Sequence, residues 1–178
     1  VSQLIYKIAK LWGKPEGSTE KYDIDEKIQF PEDKDLDFTG NFRGDLMFIR
    51  LKDEISALLS NAEVDVHFTC THCLKKFTQP IEIKTAEREF FLDEPEFDSQ
   101  DLDDLFYIDR KPMTVDLNEM VRQEIILHFP LIPVCSKSCK GLCPVCGKDR
   151  NKVKCKCKVL VEETLNTHQP FKNLKKLL

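Results

Sequence analysis

The chain has 178 residues, 41% of them hydrophobic and 33% charged, with a formal charge of −4 at neutral pH. That composition is globular, with room for one domain or one domain plus a small appendage, and no apolar run approaches the roughly 18 residues that a membrane-spanning helix needs. Charge is uneven: residues 1–133 carry 16 Lys and Arg against 28 Asp and Glu, whereas residues 134–178 carry 11 against 3, so the C-terminal part is basic at its surface.

The N-terminal part reads as β structure. Leu4, Tyr6 and Ile8 alternate with polar or mixed positions, as in a half-buried strand. Val1 to Leu11 lacks an apolar h-region with a small-residue cleavage site, so no signal peptide is expected. From Trp12 to Asp35 the pattern breaks around Gly13, Pro15, Gly17 and Pro31, and the stretch reads as loop. Leu36–Arg43 and Asp45–Leu51 read as two strands with Gly40 and Gly44 as bulges or bends, and Lys52-Asp53-Glu54 as a turn. Ile55, Ala57 and Leu59 alternate, and after Asn61 so do Val64, Val66, Phe68 and Cys70, so a strand delivers Cys70 to its end. Ile81, Ile83 and Thr85 continue the sheet after Pro80, which makes Cys70-Thr71-His72-Cys73 the cap of a β-hairpin. Residues 86–109 are rich in Asp and Glu interleaved with Phe and Leu. They read as a solvated loop whose aromatics pack in part, and they lack the glycine-containing spacing of a calcium loop.

Asp116 and Glu119 form a capping-box-like pair at the start of a helix over 116–129. Leu117, Met120, Val121, Ile125 and His128 share one face, Ile126, Leu127 and Phe129 widen it, and Pro130 ends the helix. His128 reads as a core or boundary histidine rather than a ligand. The chain then runs extended through Leu131-Ile132-Pro133-Val134 into a segment where six cysteines occupy residues 135–157, with too little apolar material for a core.

The eight cysteines fall in close pairs: Cys70/Cys73, Cys135/Cys139, Cys143/Cys146 and Cys155/Cys157. Zinc takes four thiolates tetrahedrally from short C-x₂₋₄-C turns, so eight suit two ions, with Cys155-Lys156-Cys157 a tighter variant. In Cys143-Pro144-Val145-Cys146-Gly147 the proline stiffens the turn, and the glycine can take the positive φ that faces amides towards sulfur. A disulfide framework suits oxidising compartments and much shorter chains. A redox dithiol at Cys70/Cys73 wants a strand leading into a helix, whereas a strand follows here.

Several of these runs together resemble one family: Asp116-Leu117, Glu124-Ile125-Ile126-Leu127-His128-Phe129-Pro130, Pro133-Val134-Cys135, Cys139-Lys140-Gly141-Leu142-Cys143-Pro144-Val145-Cys146-Gly147, Asn151 and Cys155-Lys156-Cys157. The combination resembles the YceD family of large ribosomal RNA subunit accumulation proteins, with Cys70-Thr71-His72-Cys73-Leu74 similar to its first knuckle and Pro170-Phe171-Lys172-Asn173-Leu174-Lys175-Lys176-Leu177 to its terminal segment. The likeness covers about residues 36–178. Two positions depart from it: His72 stands where the family commonly has arginine, and Asp149-Arg150 where Asn-Leu is more usual. The resemblance implies a role in accumulation or maturation of large-subunit rRNA, a bacterial cytoplasmic or organellar setting, and no established catalytic activity.

Loop lengths suggest how the sulfurs are shared. Cys143, Cys146, Cys155 and Cys157 are separated only by a small hairpin and suit one site. Cys70, Cys73, Cys135 and Cys139 suit a second that closes a 61-residue gap. A local site made of Cys135, Cys139, Cys143 and Cys146 is the open alternative. Lys148, Arg150, Lys152, Lys154, Lys156 and Lys158 alternate with Val153, Cys155, Cys157 and Val159. In an extended segment, same-face cations about 6.6 Å apart match successive nucleic-acid phosphates and gain affinity by counterion release. A solvated edge that blocks strand aggregation is the competing reading. Phe, Tyr and Trp are absent between Pro130 and Pro170, so backbone contact rather than base stacking is expected. Phe171, Leu174, Leu177 and Leu178 lie opposite Lys172, Lys175 and Lys176 in a short C-terminal helix suited to docking on a partner.

The predicted architecture is α+β: a mainly antiparallel β-sheet packed by one or two helices over residues 1–133, a cysteine-rich zinc-binding module over 134–160, and a tether with a short amphipathic helix over 161–178. The predicted function is a non-catalytic ribosome-biogenesis factor with two zinc ions that binds large-subunit rRNA, its precursor or an assembly protein, with no membrane partner. The competing classes are a zinc-dependent protein-binding adaptor or chaperone, and an enzyme. Closed Cys₄ shells and the scattered His67, His72, His128 and His168 speak against the enzyme.

Overall fold

The computed structural model describes residues 4–30, 33, 36–93 and 105–157. It is an α+β fold in which antiparallel strands β2 (Thr19–Glu26), β3 (Phe38–Arg50), β4 (Glu54–Thr69) and β5 (Lys76–Phe91) neighbour one another in chain order. The two-residue β6 (Phe106–Tyr107) joins β5 in parallel. A second, small antiparallel pair consists of β1 (Ile5–Lys7) and β7 (Thr114–Asp116), with Tyr6 opposite Val115. The helices are α1 (Ala9–Trp12) and α2 (Asn118–Leu127).

The β4–β5 hairpin keeps one register from Glu54↔Phe91 to Thr69↔Lys76. Its buried positions nevertheless change parity: Ile55, Ala57 and Leu59 give way to Ala62, Val64 and Val66, and opposite them Ile81 and Ile83 give way to Ala86 and Phe90. The switch lies at Asn61, which adopts φ 49°, a left-handed conformation that Asn tolerates better than most residues, and whose amide donates to Asp45 Oδ2 at 2.8 Å. The two alternating runs predicted on either side of Asn61 are therefore one strand that stays on one core. Leu36–Arg43 and Asp45–Leu51 likewise merge into β3, with register shifts between Thr39 and Asp45 bracketing both Gly40 and Gly44.

Three sequence readings change. The expected loop over 12–35 contains β2, an edge strand paired only with β3; its exposed acidic and basic positions hide an alternation in which Ile24 is buried. The strand expected at Leu4–Ile8 is short, because Ile8 caps α1 while Leu4, Ile8 and Leu11 all enter the core. The acidic stretch expected as loop from residue 86 begins as the end of β5, where Glu87 accepts a hydrogen bond from the buried Ser56 hydroxyl at 2.6 Å and Phe90 is buried; residues 94–104 lie outside the described residues.

Leu117, Met120, Val121 and Ile125 of the α2 region pack into the same core as Phe42, Leu46 and Phe48 of β3. Ile126 and Leu127, expected to widen that face, are instead 40% and 75% exposed, because the buried stripe is completed by Glu124. His128 lies at the boundary, its Nδ1 2.8 Å from the Glu124 carbonyl. The expected capping box is not formed: Leu117 is the N-cap of α2, with no side-chain cap bond. Asp116 Oδ1 accepts from the Asn118 backbone N–H at 2.8 Å, while Glu119 turns to Arg122 and Gln123.

Glu124 is 6% exposed and receives a hydrogen bond from Arg88 of β5 at 3.1 Å, pinning α2 to the sheet. Arg122 makes a second tie, to Asp33. Because the Arg88 side chain is about one-third exposed, it can rehydrate when its partner is lost. Glu124→Ala is thus expected to cost about 1–3 kcal/mol and Glu124→Gln less, read from urea unfolding midpoints. Equal stability of wild type and Glu124→Ala would show that this tie contributes nothing.

Candidate functional site

Two turns of the same design carry half of the cysteines. At the tip of the β4–β5 hairpin, the Cys70 N–H donates to the Lys75 carbonyl at 2.9 Å and the Leu74 N–H to the Cys70 carbonyl at 2.9 Å. At the second turn, the Cys143 N–H donates to the Lys148 carbonyl at 2.8 Å and the Gly147 N–H to the Cys143 carbonyl at 2.8 Å. In each, the residue after the second cysteine is left-handed: Leu74 at φ 58° and Gly147 at φ 68°. The positive φ expected for Gly147 is present. Its counterpart Leu74 escapes the sequence pattern, because a 64% exposed leucine is an ordinary turn residue until the hydrogen bonds of the two knuckles are laid side by side.

The chain leaving α2 lies against the first knuckle, with the Thr71 N–H donating to the Pro133 carbonyl at 3.0 Å. The thiols fall into two groups of four, Cys70, Cys73, Cys135 and Cys139, and Cys143, Cys146, Cys155 and Cys157. Within each group all sulfurs lie within 4.8 Å of one another. The local grouping of Cys135, Cys139, Cys143 and Cys146 is not the one adopted. Cys70 Sγ is 3.8 Å from Cys139 Sγ, and Cys73 Sγ is 3.6 Å from Cys135 Sγ. Disulfide sulfurs lie about 2.05 Å apart, and all eight thiols are free. A ZnS₄ tetrahedron with Zn–S of about 2.3 Å has edges of about 3.8 Å, so the first group fits a zinc-sized ion, and both groups can hold one metal.

The electrostatics of the thiols point the same way. Burial opposes ionisation of Cys70, but the amides of Cys135, Cys73 and His72 outweigh it and lower the pKa to about 6. The amides of Cys146 and Val145 likewise lower Cys143 to about 6. Burial and the neighbouring sulfurs push Cys135 up to about 12, and hydrogen bonding with Cys146 followed by burial pushes Cys157 up to about 12. One sulfur of each group ionises readily while another resists, as expected where several negative charges would share one small volume. A divalent cation relieves that repulsion.

Apolar packing contributes little to this part of the chain: between residues 134 and 157 only Gly141 and Cys143 are buried. A backbone bond places the second knuckle against the first, from the Leu142 N–H to the His72 carbonyl at 2.9 Å, while the Arg150 N–H closes the second knuckle on itself at the Gly141 carbonyl, 3.0 Å away. The expected extended stripe of cations is not a strand. The Asp149 carbonyl accepts from the Lys152 and Val153 N–H groups at 3.2 and 3.0 Å, which reverses the chain between the cysteine pairs. Lys148, Arg150, Lys152, Lys154 and Lys156 are all exposed. Among the described residues, none makes an ion pair with a carboxylate. Instead of a single row, Arg150 and Lys154 join Lys140 around a cavity of about 340 Å³ that Cys143, Cys155 and Cys157 also line. Lys158 and the C-terminal segment 161–178 lie outside the described residues.

The antiparallel sheet and its two four-cysteine clusters define a cysteine-knuckle protein of the α+β class. Residues 59–178 match the model of the family described as "Large ribosomal RNA subunit accumulation protein YceD", and the chain belongs to that family. A relative from Arabidopsis thaliana, "Large ribosomal RNA subunit accumulation protein YCED homolog 1, chloroplastic", is 30% identical over 57 residues, a stretch amounting to 32% of this chain and 18% of that relative. The match thus spans less than a fifth of that relative's length. No solved structure matches. Among the described residues, no helix is long and apolar enough to cross a membrane.

A left-handed leucine carries strain of about 1–2 kcal/mol that glycine escapes, offset in part by the unfolded-state entropy of glycine. Because Leu74 is mostly exposed, Leu74→Gly is expected to raise stability by up to about 1 kcal/mol, and Leu74→Val to lower it. Thermal unfolding of both variants checks the sign. A loss of stability in Leu74→Gly would show that the leucine side chain contributes more than its backbone costs.

Proposed function

We propose that this protein is a non-catalytic factor supporting accumulation or maturation of large-subunit rRNA, that its two cysteine clusters each bind one zinc ion, and that the C-terminal knuckle presents a basic surface to pre-ribosomal RNA. Family membership carries the first part. The observation that supports the rest is a set of exposed cations, Lys148, Arg150, Lys152, Lys154 and Lys156, on a loop whose ends are the four cysteines of one cluster. Zinc would be held by Cys70, Cys73, Cys135 and Cys139, and by Cys143, Cys146, Cys155 and Cys157, and would supply cohesion rather than reactivity. Four protein sulfurs close each shell and leave no position for substrate.

In this reading residues 1–133 are the rigid platform, residues 134–160 the RNA-facing module, and residues 161–178, with Lys158 at the junction, a tether to a ribosomal or assembly protein. The setting is the bacterial cytoplasm or, as the name of the chloroplastic relative suggests, an organelle. A second reading, a zinc-dependent adaptor or chaperone that contacts protein without touching RNA, draws on exposed Leu127 at the end of α2 and Leu131 and Ile132 after it.

Metal analysis of the native protein is expected to give two zincs per chain, and chelation to release residues 134–157 while the sheet persists. Structural zinc supplies about 10–16 kcal/mol in small modules, comparable with the whole stability of a domain at about 5–15 kcal/mol. Loss of zinc without any change in the amide spectrum of that segment would contradict this.

For the RNA reading, the decisive experiment is co-purification with crosslinking to ribosomal precursors. Large-subunit material is expected, and its absence would overturn the proposal. Neutralising Lys152, Lys154 and Lys156 together should weaken RNA retention and lower the salt slope by about 2–3. Unchanged RNA retention in that triple variant, with protein partners lost on Leu131→Asp, would favour the adaptor.

A further inference from the structure

One side chain reaches from the loop of one cluster to a sulfur of the other. Asn151 lies in the loop between Cys146 and Cys155, yet its Nδ2 donates to Cys139 Sγ, a sulfur of the other cluster, at 3.4 Å. The same Nδ2 donates to Asp149 Oδ1 at 2.8 Å, Asn151 Oδ1 accepts from the Lys140 backbone N–H at 2.8 Å, and the Asn151 backbone N–H donates to Asp149 Oδ1 at 2.9 Å. The network fixes which end of the amide is which: the oxygen faces a donor, and both NH₂ hydrogens face acceptors. Asn151 thereby grips the sulfur of Cys139 and the amide of the next residue at once.

We propose that Asn151 is a positioning residue that couples the two metal sites, so that an ion held by Cys143, Cys146, Cys155 and Cys157 strengthens retention of the ion held by Cys70, Cys73, Cys135 and Cys139. The inference rests on the metal reading above. The turn at 149–153 is closed by the Lys152 and Val153 N–H groups on the Asp149 carbonyl and lies between the Cys143/Cys146 and Cys155/Cys157 pairs, so closure of the second cluster on an ion would restrain the loop that carries Asn151. An N–H donor on a ligating sulfur stabilises the thiolate and fixes its orientation, and such outer contacts are worth about 10–100-fold in metal affinity. Coupling in binding is reciprocal, so loading of the first cluster also favours closure of the second.

Asn151→Asp separates the roles of the amide. It keeps an oxygen for the Lys140 N–H but replaces the donor facing Cys139 with a carboxylate oxygen. Asn151→Ala removes both contacts without adding charge. The full chain loaded with zinc is mixed with a chromogenic chelator, and the same chain loaded with ¹¹³Cd is examined by NMR.

The wild type is expected to show two cadmium resonances and slow release of two zincs. Both Asn151 variants are expected to release one zinc about 10–100-fold faster and to shift the resonance of the Cys70 cluster more than the other. Cys155→Ser with Cys157→Ser should accelerate release from the first cluster to the same extent, and adding Asn151→Ala to that pair should change nothing further. Sheet amide resonances that match wild type exclude general unfolding as the cause.

Release at the wild-type rate from both Asn151 variants, or equal acceleration at both sites, would overturn the coupling while leaving the metal reading intact. A wild-type chain that binds no zinc or cadmium would overturn both.

Discussion

The β4–β5 hairpin is the constraint on which the rest of the structure depends. Its unbroken register from Glu54↔Phe91 to Thr69↔Lys76 sets where the tip lies, and the tip holds Cys70 and Cys73. A slip of one residue would move every side chain to the opposite face, exposing Val64, Val66 and Ile81. The buried alternation therefore fixes the position of two sulfurs at the far end of the same strands. Pro133 and Leu142 hydrogen-bond to the knuckle at that tip, so the cysteine-rich segment is assembled on a platform whose geometry comes from apolar burial.

Two kinds of cohesion meet there. On the sheet side, Phe42, Phe48, Ile55, Phe90 and the α2 face form one buried cluster, and burial at about 25 cal/mol per Å² supplies the driving force. Between residues 134 and 157 only Gly141 and Cys143 are buried, and hydrogen bonds and clustered sulfurs replace packing there. The amides that lower the pKa of Cys70 and Cys143 are products of the knuckle turns, so backbone conformation prepares the site for a cation. Among the described residues, the exposed lysines of the loop make no close ion pair that would hold it together.

Legibility in the sequence followed the same division. The hairpin, its cysteine tip, the helix near 116–129 and the partition of sulfurs by loop length could be read because each rests on periodicity or short spacing. β2 could not, since an edge strand with Tyr22 and Ile24 among charged neighbours resembles a loop when its partner is unknown. The merging of two apparent strands across Asn61 was invisible for a related reason: alternation that changes parity looks like two elements unless one left-handed residue absorbs the extra position. The row of cations misled because period 2 was read as extension. A turn anchored on the Asp149 carbonyl produces similar spacing with a different surface.

That difference bears on the contact with RNA proposed above. An extended row would track phosphates along one strand, with affinity growing by the number of contacts and with little dependence on RNA shape. A reversed loop clusters its cations: Lys140, Arg150 and Lys154 line one cavity, which they share with Cys143, Cys155 and Cys157. Concentrated charge favours sites where RNA brings phosphates together, such as sharp backbone turns or helix junctions, over a uniform single strand. Under the proposed function, recognition by folded shape without aromatic stacking would follow from the loop conformation rather than from the number of lysines.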